Sequence, residues 1–381
     1  MPSVEYYVSL LEDRDRIATV LKAIARTVRP GDVVVEVGCG IGTYALAALR
    51  AGAGHVTAID ANPAALAFAR ELGVAREGGE RLTLIEASAE AVELPRRADV
   101  VIFEDYGGLG HSPGLRTLLD HVRERLAAPG ARYLPAAVDL VLAPTDAPLR
   151  TIGPADAPAL PFSADALALL RKRSMNDPFA PELDAAALLA EGQVVGRLEP
   201  SLGIVRRTPM GAGATASRSG QVTGLIGWIR LDFGGGLLVD NVPAIPTPTY
   251  PALAFPFEES LPVGEGERLE LTLEAIHGPG PKTLLWQWGV TAEQGSRNGS
   301  SINGLPGDLG LLTRGSVQEV PRTTRLLPAV AEVCRQIDNS KTSGEIAHTV
   351  YSLYKGEFRD EKAAEAFVLD LLERLRGTTP P

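Results

Sequence analysis

Val33-Val34-Val35-Glu36-Val37-Gly38-Cys39-Gly40-Ile41-Gly42 decides the fold of this chain. A β-branched run that ends in Gly38-x-Gly40-x-Gly42 reads as a buried parallel strand turning sharply into a helix. The glycines allow a tight turn and bring the backbone close to a ligand that a Cβ would exclude. The next apolar run closes on Ile59-Asp60, which places a carboxylate where ribose hydroxyls can donate to it.

Working outward, residues 1–135 alternate strand and helix signals. Strands are expected at 33–37, 55–60, 82–86, 99–104 and 131–134, with helices at about 9–27, 43–51, 63–72 and 114–127. Gly52 sits where a helix C′ glycine belongs. This βαβ rhythm predicts a doubly wound α/β domain with a parallel sheet. Ligands bind such sheets beyond the carboxyl ends of the strands. Gly38–Gly42, Asp60, Glu86–Glu90 and Glu104–Gly108 all fall on that edge.

Residues 136–310 change character: Pro-rich turns separate alternating segments. In Arg268–Ile276, Leu269, Leu271, Leu273 and Ala275 share one face, while Glu270, Thr272 and Glu274 share the other. Val222–Phe233 and Leu284–Val290 also read as strands, so an antiparallel barrel or sandwich is expected. Within it, residues 160–192 read as a helical insertion (Ala164–Leu170, Asp184–Leu189) of the kind that packs on a second subunit. Residues 311–381 form a small helical domain, with helices over Arg325–Ile337, Glu345–Lys355 and Glu361–Leu375 and a capping box at Thr342-x-x-Glu345.

Composition narrows the classes of function. The chain has 381 residues, 45% of them hydrophobic, and a net charge of −10, which argues against a nucleic-acid phosphate track. The basic stretch Arg171-Lys172-Arg173 is short and reads as a solvated helix end. No apolar run reaches the roughly 18 residues that span a bilayer, and the start carries no secretory pattern. Cys39 and Cys334 are the only cysteines, show no metal spacing, and suit a reducing cytoplasm. Cys39 reads as a packing residue of the glycine turn.

The spacing G-x-G-x-G after Glu36 differs from the dinucleotide form G-x-G-x-x-G, and Thr43-Tyr44-Ala45-Leu46 offers no cation for a phosphate. The segment resembles motif I of class I S-adenosylmethionine (SAM) methyltransferases. Sheet domain followed by barrel resembles, more narrowly, the protein arginine methyltransferases, from about residue 4 to 310. Leu10-Leu11-Glu12-Asp13-Arg14-Asp15-Arg16 is similar to that family's M-L-x-D-x-x-R helix. Ala51-Gly52-Ala53 through Asp60 is similar to A-G-A-x-x-V-x-x-x-E, Glu90–Pro95 to E-E-V-E-L-P, Ala98–Glu104 to D-x-x-I-S-E, and Leu126–Pro135 to L-x-P-G-x-x-x-P.

The resemblance implies SAM as cofactor. Arg16 would face its methionine carboxylate, Asp60 and Ala61 its ribose, and Ser88, Ala89 and Glu90 its adenine. Glu36, Gly38, Cys39, Gly40, Gly42 and Glu104 complete the implied cofactor set.

The departures lie on the acceptor side. The family has two glutamates on one hairpin loop, which match the forked donors of a guanidinium. Here Glu104 matches the first, and the second falls at Pro113. The family's Thr-His-Trp loop falls on Pro248-Thr249-Tyr250, without its histidine. Of the aromatic helix that normally opens the fold, Tyr6 and Tyr7 remain.

Glu104 is therefore the first candidate to orient or deprotonate an acceptor, with Asp105, Tyr106 and His111 behind it. N-methylation of a guanidino or amino group on a peptide or small natural product is the expected reaction, by a homodimer. The rivals are O- or C-methylation and a catalytically silent partner subunit. Ile337–Ala347 is similar to the D-G-x-x-T-x-x-E-I-A turn of PqqD-like winged-helix domains, with Asn339 in place of glycine. That likeness implies a leader-peptide partner captured by strand addition; a stabilising helical appendage is the competing reading.

Overall fold

The computed structural model describes residues 4–149, 163–181, 183–243, 250–278, 283–305, 325–337 and 340–376. Two compact units result, residues 1–317 and 318–381.

The first unit opens with α1 (Val4–Glu12) and α2 (Arg14–Thr27), where one helix over 9–27 is expected. Asp13 divides them, because its carboxylate caps α2 by accepting from Arg16 N at 3.2 Å. Then follow β1 (Val33–Val37), α3 (Thr43–Arg50), β2 (His55–Asp60), α4 (Pro63–Glu71), α5 (Val74–Gly78), β3 (Leu82–Glu86), β4 (Ala98–Phe103), α6 (Leu115–His121) and β5 (Ala127–Leu134). The five strands are parallel in the order β3-β2-β1-β4-β5. The chain reverses direction across the sheet between β1 and β4, which opens a crevice at their carboxyl ends. The expected helix over 114–127 stops at His121 and continues as one π-helical turn, Val122–Leu126.

The second half of this unit comprises β6 (Ala137–Thr145), α7 (Ala164–Ser174), β7 (Gln193–Leu198), β8 (Arg207–Thr215), β9 (Gly220–Asp232), β10 (Leu238–Asp240), β11 (Leu253–Val263), β12 (Arg268–His277), β13 (Leu284–Ala292), β14 (Gly295–Ser300) and α8 (Ser301–Gly304). One antiparallel sheet runs β10-β9-β6-β7 with β11 also on β9; the other runs β14-β13-β12-β8. The two meet edge to edge, β7 beside β8 and β11 beside β14, as a barrel-like closure.

All nine residues of β6 are buried, because both of its faces are covered. Val138, Leu140 and Leu142 join the main core. Val141 and Ala143 join a second cluster with Ile226, Trp228 and Ala254, against which Phe179, Leu183 and Leu188 pack. The 160–192 segment is thus helical only in part. Ala164–Ser174 is a helix, whereas Asp184–Leu189, expected as a helix, holds a single 3₁₀ turn at Ala185–Ala187. Leu188 there bridges to Thr145 and Leu189 N bonds Pro144 O, so strand-like contacts displace the helix. Arg173 is not simply solvated: Nη1 donates to Asn303 O at 2.7 Å.

The second unit consists of α9 (Leu327–Gln336), α10 (Ser343–Leu353) and α11 (Glu361–Arg376) around Ala329, Val333, Ile346, Val350 and Val368. The Thr342–Glu345 capping box forms. Among the described residues this unit has no strand, so the wing of a winged helix is not among them; Asp338 and Asn339 of the PqqD-like turn, and residues 306–314 of the expected linker, lie outside the described residues. No described helix is long and apolar enough to cross a membrane.

The loop after β4 is wedged into the barrel. A Cβ on Gly227 would lie 2.9 Å from Leu109, and one on Gly108 would lie 2.6 Å from Pro251 O. This carries His111 inside, 5% exposed, where its Nδ1 lies 3.0 Å from Nε2 of His277 and its ring meets Trp286 edge-on at 5.7 Å. Burial holds both imidazoles low, His111 to about 3 and His277 to about 4. The folded state keeps them neutral while an unfolded chain protonates them near pH 6.5, so their contribution is complete above that pH and lost as the pH falls toward 4. Stability is expected to drop between pH 7 and pH 5 by up to about 2 kcal/mol per ring. H111L/H277L should flatten that dependence in pH-resolved thermal unfolding; an equal drop in the double variant would assign it to other groups.

Candidate active site

A cavity of about 440 Å³ lies at the carboxyl edge of β1, β2 and β4. Gly38, Cys39 and Gly40 form one wall, Asp60 and Ala61 a second, Ser88, Ala89 and Glu90 a third, and Glu104 and Asp105 a fourth. Tyr6, Tyr7, Leu10 and Arg16 close it from the N-terminal helices, and Tyr250 closes it from the barrel.

The glycine turn is fixed by backbone bonds. Gly38 N and Cys39 N both donate to Ile59 O, and Gly42 N to Cys39 O. Gly40 has φ +52° and faces the Tyr7 ring, which a Cβ would meet at 3.4 Å. Asp60 pins the turn to the end of β2, accepting from Gly40 N at 2.7 Å and Asn62 N at 2.8 Å. Each carboxylate oxygen retains acceptor capacity beyond those bonds. Asn62 caps α4 and donates to the Tyr7 hydroxyl at 3.0 Å, which holds α1 over the cavity.

Below the turn, Glu36 is 2% exposed. Its carboxyl accepts from the backbone of Ala45 but leaves Oε2 without a partner. Burial, then the charges of Glu104 and Asp60, hold it well above the usual carboxylate range.

The fourth wall centres on Glu104. Its Oε2 accepts from Arg16 Nη1 at 3.0 Å, and its Oε1 is buried without a partner. Arg16 also donates from Nη1 to the Tyr44 hydroxyl at 3.0 Å and from Nη2 to Leu10 O at 2.8 Å. The Tyr250 hydroxyl donates to the main-chain carbonyl of Glu104. Burial raises the Glu104 carboxyl, while the charge of Arg16 pulls it back. Asp105 is raised by burial and by the charge of Asp60.

Arg16, Glu36, Gly38, Cys39, Gly40, Asp60, Ala61, Ser88, Ala89, Glu90, Glu104 and Asp105 thus share one cavity. Three expected site residues stand apart from its walls. Gly42 serves the turn: its φ is +83° and it starts α3. Tyr106 is fully buried, with its ring on Phe103 at 4.9 Å. His111 is sealed in the barrel joint, because the wedged loop turns it away from the cavity. Glu86, at the end of β3, is not on the wall either.

Tyr44, Asn62 and the hydroxyl of Tyr250 were not legible as site groups. For Tyr44 a signal exists: helical side chains lean toward the N-terminus, so one in the first turn after the glycines points back at the ligand edge. Pro248 and Thr249 lie outside the described residues.

Known proteins are similar to this chain in sequence and in fold. Residues 34–130 match the family model described as "Methyltransferase domain". The chain is 29% identical over 285 residues to an "Arginine N(omega)-methyltransferase" of Streptomyces achromogenes subsp. streptozoticus, covering 70% of this chain and 75% of that protein. It is 34% identical over 138 residues to a "Probable histone-arginine methyltransferase CARM1" of Oryza sativa subsp. indica; that match covers 36% of this chain and 26% of the rice protein. Among solved structures, the Trypanosoma brucei PRMT1 enzyme-prozyme heterotetrameric complex with AdoHcy superposes with TM-score 0.65 at 16% identity, over 77% of this chain and 97% of that one. Arabidopsis thaliana protein arginine methyltransferase 10 does so with TM-score 0.65 at 17% identity, over 78% and 98%. At these identities the structural likeness concerns the fold.

Gly42→Ala tests the turn. A Cβ there would sit 2.8 Å from Val74 Cγ1 on a left-handed backbone. Thermal unfolding should show a loss of about 1–3 kcal/mol; an unchanged midpoint would mean that the turn relaxes freely.

Proposed function

The chain is an arginine-methyltransferase-like, SAM-dependent methyltransferase, and on that premise we propose that it N-methylates a guanidino group of arginine or of an arginine-containing molecule. The carrying observation is Glu104: one carboxylate oxygen is anchored by Arg16, while the other is buried in the cavity wall without a partner. Such an oxygen needs a donor, and a guanidinium supplies charge-assisted ones.

The cavity residues fit the cofactor. The glycine turn admits close approach, Asp60 has acceptor capacity left, and Glu36 Oε2 lacks a donor. Glu36, Asp60, Glu90, Glu104 and Asp105 line the cavity against one cation, Arg16, which suits a sulfonium and a guanidinium together. Gly38, Gly40, Asp60, Ser88, Glu90 and Arg16 would hold SAM, which supplies an electrophilic methyl on its sulfonium.

The protein's own contribution is positional. Glu104 orients the acceptor nitrogen and takes a share of the proton it must shed, and a carboxyl raised by burial is the stronger base for that purpose. The Tyr6 and Tyr7 rings of α1 and Tyr250 of the barrel keep water from the reacting edge. The name of the Streptomyces relative specifies arginine itself, which favours a small acceptor or an accessible arginine side chain over a folded protein surface. A homodimer is part of this reading: α7 exposes Leu169 and Leu170, 54% and 50%, on the insertion expected to meet a second copy.

Glu104→Gln tests the reading. With L-arginine and an arginine-containing peptide as acceptors, turnover should fall by about 10²-fold or more while SAM still binds in calorimetry. Full turnover in this variant would remove Glu104 from the mechanism.

A further inference from the structure

A guanidinium set against Glu104 Oε1 alone would leave most of its N–H donors unmet, and donors left unmet in a cavity wall cost binding. The second position of the resembled loop falls at Pro113, whose side chain accepts nothing. The wall nevertheless holds another carboxylate. Asp105, the next residue along the chain, lines the same cavity as Glu104. Its carboxylate makes no hydrogen bond or ion pair among the described residues. The other acids of the wall are engaged or enclosed. Asp60 accepts from Gly40 N and Asn62 N, Glu90 accepts from the Ser88 hydroxyl at 2.7 Å, and Glu36 lies buried below the glycine turn.

The local backbone sets the two carboxylates side by side. Tyr106 N donates to Glu104 O at 2.9 Å, which closes a three-residue turn with Asp105 at its apex. The Tyr250 hydroxyl donates to the same oxygen, so both lone pairs of that carbonyl are used and the turn is tied to the barrel. Burial and then the charge of Asp105 raise the Tyr6 hydroxyl, while burial and then the charge of Asp60 raise Asp105. The Asp105 carboxylate therefore shares the space that Tyr6 and Asp60 line. Glu104 is enclosed, 13% exposed, whereas Asp105 is open to solvent. One inner and one outer carboxylate suit a planar cation with donors on more than one edge, as a guanidinium is.

We propose that Asp105 is the second acceptor-binding carboxylate: Glu104 Oε1 takes the inner edge of the acceptor guanidinium and Asp105 the outer. This rests on the reading of Glu104 as the carboxylate that binds a guanidino acceptor.

Asp105→Asn keeps the shape of the side chain and removes its charge. The test is calorimetric titration of the full-length chain, loaded with S-adenosylhomocysteine, with L-arginine and with 5-guanidinopentanoate, which has the guanidinium but no α-ammonium. In Asp105→Asn the Kd of both compounds should rise by about tenfold to a hundredfold, the loss of charge-assisted hydrogen bonds. S-adenosylhomocysteine affinity should stay within about twofold, which a disordered wall would not allow.

Unchanged affinity for both compounds would overturn the inference. So would a loss confined to L-arginine, which would assign Asp105 to the α-ammonium instead. Should the unaltered chain bind neither compound, the guanidino reading itself fails and this inference falls with it.

Discussion

The buried pair of Arg16 and Glu104 is the contact on which the site depends. It joins α2 to the end of β4, between two side chains that are 4% and 13% exposed. Removing two charges from water costs more than their attraction returns unless further hydrogen bonds complete the geometry. Here Leu10 O, Tyr44 and the Asp13 carboxylate, 3.3 Å from Arg16 Nε, surround the guanidinium. Polar capacity nevertheless stays unmet in this cluster: Glu104 Oε1, and also Arg16 Nε and Asp13 Oδ2, make no hydrogen bond. The imbalance is local and sits at the cavity, which is where a protein tolerates unmet polar capacity for the sake of a ligand.

The barrel gives that pair its rigidity. Tyr250 reaches from the segment before β11 to the carbonyl of Glu104, and Gly108 and Gly227 let the loop and β9 approach closely. A loop that would otherwise be mobile is thus packed as tightly as a core segment, with Leu109 fully buried. The parallel sheet supplies the glycine-turn edge of the cavity, and Tyr250 from the barrel ties down the main chain at Glu104.

Much of this was legible in the residues. Glycine spacing and the strand-end acids carry the cofactor edge because backbone geometry there leaves little choice of residue type: Gly40 and Gly42 adopt left-handed φ, and Asp60 meets two backbone donors. The alternation in Arg268–Ile276 fixed the inward face of β12. Tertiary contacts decided the rest. His111 reads as a loop histidine, yet the wedge formed with Leu109 carries it beside His277, a partner on β12 far along the chain. Tyr44 reads only as part of a helix start, Thr43-Tyr44-Ala45-Leu46, that offers no cation, and it takes the packing of α2 on α3 to bring Arg16 to its hydroxyl. Asp184–Leu189 has helical composition, but a bridge to β6 outweighs local propensity.

The most direct test of the account is where the methyl group lands. The full chain, incubated with SAM and L-arginine or an arginine peptide, should give a product about 14 Da heavier whose fragmentation places the methyl on a guanidino nitrogen, as transfer of one methyl group by an oriented nucleophile requires. A methyl group on oxygen, on carbon or on the α-amine would contradict it, because the acceptor carboxylate would then be facing a different donor.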